Sequence, residues 1–162
     1  METAPFDATP HHQRLARLVG RWRGVARTFF EPSSAPEVAP WDATIELLLG
    51  GRFLRMRYVS RVMGKPIAGE LTIAREIGER RWLMSWIDSF HTSPAILASE
   101  GARDDEAIRA SGTYFAGEGH PRWGWRTEVH DERAPASLRI VMTNISPEGE
   151  ESAAIEIELE PG

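Results

Sequence analysis

The chain has 162 residues, with 19 basic against 24 acidic side chains and a formal net charge of −5. That length suits one domain with a real core, and 41% hydrophobic with 27% charged residues is a globular composition. The acidic balance offers no general attraction for phosphate backbones, so nucleic acid is not an expected partner. The absence of cysteine excludes disulfides, thiolate metal sites and a cysteine nucleophile. The longest charge-free run, Ser89 to Ser99, has 11 residues. That is too short to cross a bilayer as a helix, so no membrane partner is expected. The start, METAPFDATPHHQR, lacks the charged head and apolar stretch of a secretion signal, which makes the cytoplasm the expected location.

In chain order, residues 1–9 read as a disordered tail on a single domain spanning 1–162. Thr9 is a plausible N-cap and Pro10 suits a first helical position. Leu15, Leu18 and Val19 then share one side of a short helix that Gly20 stops. His11 and His12 are neighbours at its start, do not share a face, and are expected in solvent. After Trp22 the hydrophobic period becomes two. Ile45, Leu47 and Leu49 alternate with polar residues, as do Leu71 and Ile73 and then Ile155, Ile157 and Leu159. Turn clusters separate about ten strands, near 21–30, 42–49, 53–62, 67–77, 81–90, 94–102, 107–116, 123–131, 137–145 and 152–160. Glu31 to Pro40 reads as a surface loop. Strands without intervening helices form an antiparallel meander, and closing it into an up-and-down barrel hides every edge.

Alternation places Trp82, Met84, Trp86, Asp88 and Phe90 on one face of a strand, the bulkier face and so the inner one. Met56, Tyr58, Tyr114, Trp123, Trp125, Ile140 and Met142 fall inward by the same rule. A barrel of about ten strands keeps room for a ligand, so the candidate ligand-binding residues are Met56, Tyr58, Met84, Trp86, Asp88, Phe90, Tyr114, Trp125 and Met142. Asp88 is the one acid expected inside. It must hold a proton or accept hydrogen bonds, from Tyr58, Tyr114 or Thr127, or from backbone N–H groups if it caps a turn. His91 is out of phase with Asp88 and is expected to face outward. No histidine spacing aims two rings at one metal, and no nucleophile elbow is present, so no zinc site and no serine hydrolase triad are expected.

Leu18-Val19-Gly20-Arg21-Trp22-Arg23-Gly24 resembles the Gly-x-Trp signature that opens calycin (lipocalin-like) barrels, where the Trp plugs the closed end. Leu48-Leu49-Gly50-Gly51-Arg52-Phe53-Leu54, Ser85-Trp86-Ile87-Asp88-Ser89 and Ser111-Gly112-Thr113-Tyr114 resemble domain-of-unknown-function family 1579, a bacterial family. The resemblance runs from about Gln13 to Leu159, with a shorter loop at Gly117 to Trp123. It implies a calycin-like barrel and carries no established activity. Nitric-oxide-binding haem barrels are similar to calycins and hold iron through one His, for which His91 and His130 are the candidates. Gly24 to Phe30 does not match their opening, so no haem and no other cofactor is expected. The reading is therefore an all-β, antiparallel up-and-down calycin-like barrel of about ten strands with a short N-terminal helix. Its expected role is to bind a small apolar or amphipathic molecule. An isomerase or hydrolase using Asp88 and a Tyr, and a haem barrel, are the alternatives. A homodimer contact through the charged outer rows stays open.

Overall fold

The computed structural model describes residues 3–162, whose ten strands close into one antiparallel barrel. A single helix, α1 (Pro10–Ala16), precedes β1 (Gly20–Thr28), β2 (Glu37–Leu48), β3 (Phe53–Val62), β4 (Lys65–Glu76) and β5 (Arg81–Asp88). The second half comprises β6 (Leu97–Glu100), β7 (Ile108–Tyr114), β8 (Trp123–His130), β9 (Leu138–Ile145) and β10 (Glu151–Pro161). Every strand pairs with its sequence neighbours, and β1 closes the ring on β10 from Trp22↔Pro161 to Thr28↔Ile155. Gly24 permits that closure, because a Cβ there would stand 1.8 Å from the Glu158 carbonyl oxygen.

The helix covers one end. Arg14 holds Asp131 through two bonds of 2.7 and 2.6 Å, and His11 meets Glu106 at 2.9 Å. Trp22 is buried and its Nε1 donates to the Leu18 carbonyl at 2.8 Å, beside Leu15 and Leu18, which are wholly enclosed. The Gly-x-Trp segment thus plugs this closed end. His12 corrects its expected exposure. It is buried, with Nδ1 accepting from Thr9 Oγ1 (2.7 Å) and Thr9 N (3.3 Å), and burial followed by the charge of His11 lowers its pKa. Residues 3–9 carry no helix or strand; the Ala4 and Pro5 carbonyls accept from Arg52, and Phe6 meets His12 edge-on.

Three boundaries differ from the sequence reading. β2 begins at Glu37, so the last four residues of the expected loop, Glu37 to Pro40, join the ladder. Pro40 is tolerated because pairing with β3 begins only at Asp42↔Val59, where a missing N–H no longer matters. β6 has four residues and pairs with β7 at two positions only, Ser99↔Gly112 and Glu100↔Ser111. β5 stops at Asp88, which removes Phe90 from the inner face; it stands 46% exposed on the following turn, correcting its expected inward placement. On the outer surface Glu46 pairs with Arg55 (2.7 Å) and Arg57 (3.4 Å), and Glu158 with Arg27 (2.9 Å).

Candidate functional site

At the end opposite α1, three strands bring one inward row together: Tyr58 on β3 lies opposite Gly69 on β4, and Gly69 opposite Asp88 on β5. With no side chain at Gly69, the Tyr58 ring crosses β4. A Cβ there would stand 2.2 Å from Tyr58 Oη and 2.4 Å from Cζ. The Tyr58 hydroxyl donates to Asp88 Oδ2 and accepts from Trp86 Nε1 at 2.9 Å, while Trp41 stacks on the Tyr58 ring at 3.9 Å.

The chain then turns at once, because Asp88 captures it. Its Oδ1 accepts the backbone N–H groups of Phe90 and His91, both at 2.7 Å, and its own N–H donates to Thr92 Oγ1 at 2.8 Å. The same Oδ1 lies 3.0 Å from His91 Nδ1. Asp88 thus both caps a turn and anchors a tyrosine, the two roles left open by the sequence. Burial raises its pKa, yet the bonds from His91 and Tyr58 outweigh burial and hold it below the ordinary carboxylate value. Burial first, then the Asp88 charge, pushes the Tyr58 hydroxyl well above its ordinary value. The carboxylate is ionised and Tyr58 is a neutral donor.

His91 departs from expectation. The turn folds its ring back over Trp86, with centroids 5.5 Å apart and the side chain only 13% exposed. An ionised carboxylate only accepts, so its bond to His91 assigns a hydrogen to Nδ1. In the neutral ring Nε2 is then a bare acceptor, and it is buried without a partner. His130, the other histidine weighed for iron, lies at the closed end, 3.7 Å from Glu132.

Aromatic contacts run across this layer: Trp86 stacks on Trp125 at 5.3 Å, and Trp125 meets Tyr114 edge-on at 6.1 Å. Tyr114 donates to Asn144 Oδ1 at 2.6 Å, and Trp125 Nε1 is buried without a partner. Tyr58, Trp86, Asp88, Trp125 and Tyr114 therefore form one assembly. Met56, Met84 and Met142 belong to the core below it. Exposures of 1% for Met56 and 0% for Met142 leave no water-sized room beside them, so the barrel is packed at this level. Open space lies at the rim. One hollow of about 550 Å³ is lined by Tyr114, Phe115, Ala116, His120, Trp123 and Asn144. A second of about 320 Å³ shares Trp123 and Asn144 and is walled by Phe29 and Phe30. A wider groove, about 670 Å³, runs along β3–β5, lined by Tyr58, Gly69 and Asp88 as well as by Arg57, Glu70 and Ile87.

The sequence reading missed Trp41 and Gly69, and it turned His91 outward. Trp41 was legible in the period-two run Ala39, Trp41, Ala43, Ile45, whose first member lay in a Pro-rich stretch. Among the described residues no group of three or more His, Asp or Glu side chains is placed to hold a metal ion, and no helix is long and apolar enough to cross a membrane.

These features define a closed ten-stranded up-and-down barrel, plugged at one end by a helix and Trp22 and lined with aromatic rings at the other, which fits the calycin-like description. The chain belongs to the DUF1579 family of proteins of unknown function, whose model matches residues 7–160. No curated protein matches it.

Proposed function

We propose that this barrel is a binding module for a small, flat, apolar or amphipathic molecule, taken at the open end rather than deep inside. The observation that carries this reading is the buried Trp125 Nε1–H without a partner, behind the Tyr114 ring that lines the rim hollow. A buried unpaired donor costs about 1–3 kcal/mol, which a ligand oxygen or nitrogen would relieve. A hollow of about 550 Å³ is the size of an ordinary small-molecule site. The body of the ligand lies against Trp123 and Tyr114, and its polar edge turns toward Trp125. The test is titration with the neutral fluorophore N-phenyl-1-naphthylamine. Saturable binding that Trp123→Ala weakens, with the fold intact, supports the reading; binding indifferent to Trp123 overturns it.

Acid–base chemistry is a second reading, favoured by one observation: His91 lies beside Asp88. A haem barrel is separated by adding haem and recording its absorption. A tight, saturable Soret shift lost in His91→Ala would replace both readings.

A further inference from the structure

The His91 ring is fixed on several sides. Asp88 Oδ1 holds Nδ1 at 3.0 Å, Trp86 lies against one face, and Phe90 meets the ring edge-on at 5.0 Å. Among the described residues, Asp88 is the titratable group bonded to the ring, with Tyr58 one bond further on. In the neutral ring Nε2 is a buried acceptor without a partner. Buried polar groups are normally satisfied, so an orphan acceptor inside an aromatic cluster calls for a donor from outside the chain. The turn that carries His91 leads into β6, the four-residue strand held to β7 at two register positions. This is the stretch of wall with the least backbone pairing, and so the stretch that opens most readily.

Resting on the open-end reading above, we propose that Asp88 and His91 form a proton-accepting pair for a flat, weakly acidic hydroxyl compound of the phenol or enol class. The proton of the ligand O–H passes to Nε2, and the oxygen keeps the bonding electrons as an oxyanion. The new imidazolium is held by the Asp88 carboxylate on its far side and donates Nε2–H back to the oxyanion, a charge-assisted bond. Tyr58 stays neutral throughout and only positions Asp88. The flat class follows from Trp86, whose ring lies against His91 and stacks in turn on Trp125.

The experiment uses p-nitrophenol and its non-ionisable ether p-nitroanisole with the intact protein, buffered so that free p-nitrophenol is mostly protonated. Bound p-nitrophenol should show the phenolate absorption band. His91→Gln and Asp88→Asn should abolish that band and weaken p-nitrophenol by about tenfold or more, the worth of one charge-assisted bond. Binding of p-nitroanisole should stay within about twofold, since it has no proton to give. Bound p-nitrophenol that keeps the neutral spectrum, or a phenolate band that survives in His91→Gln, overturns the proposal. If p-nitroanisole binds and no phenolate forms, the open-end site stands and the proton-accepting pair falls; if neither compound binds, both fall. Should a variant fail to fold, the wild-type spectra with the two compounds decide.

Discussion

Tyr58 bonds Asp88 across an intervening strand, and Gly69 makes the crossing. The two residues sit on β3 and β5, each opposite Gly69 on β4, so any side chain at that position would occupy the path of the phenol ring. Gly69→Ala should therefore displace Tyr58 and cost about 1–3 kcal/mol, the usual price of overpacking. Urea midpoints check this, and a midpoint equal to wild type would mean that the crossing is slack.

Asp88 should impart an acid dependence to stability. Its folded pKa lies below the ordinary aspartate value of 3.8, so its contribution is present above that value and is lost as pH falls through the folded one. Asp88→Asn removes the charged bonds and should lower the melting temperature near neutrality. The gap between wild type and variant should close below about pH 4. A gap that stays constant down to acid unfolding would show that the Asp88 charge adds nothing.

Tyr58 should act at the other end of the scale. Its folded pKa is raised above 10.0, so unfolded chains ionise first and stability declines once pH exceeds that value. The chain has two tyrosines, and Tyr114 is also raised, by burial first. Tyr58→Phe should flatten the alkaline decline without removing it, as read from urea midpoints above about pH 10. An unchanged slope would place the titration elsewhere.

Trp22 should be the costliest residue to remove at the closed end. Trp22→Ala empties a large buried site and orphans the Leu18 carbonyl, with an expected loss of about 3–5 kcal/mol. Trp22→Phe keeps most of the volume and should cost clearly less. Equal losses would locate the effect in the hydrogen bond rather than in the plug.

The barrel was legible because period-two alternation and turn residues are local signals, and Trp22 could be placed from its neighbours along the chain. Asp88 was legible as an inward acid for the same reason. The inward turn of His91 was not, since alternation says nothing once a strand ends, and β5 ends at Asp88 because that carboxylate captures the N–H groups of Phe90 and His91. The same event carried Phe90 outward. Gly69 becomes meaningful only through cross-strand register, which one sequence does not reveal. Nor did strand number show how tightly Met56 and Met142 fill the barrel.

The most direct measurement is a long-range nitrogen–proton correlation spectrum of the His91 imidazole at neutral pH, before and after adding p-nitrophenol. The free protein should show hydrogen on Nδ1 and a bare Nε2, as the Asp88 bond requires, and Nε2 should take up a proton when the ligand binds. An Nε2–H tautomer in the free protein, or an Nε2 signal indifferent to p-nitrophenol, would contradict the site.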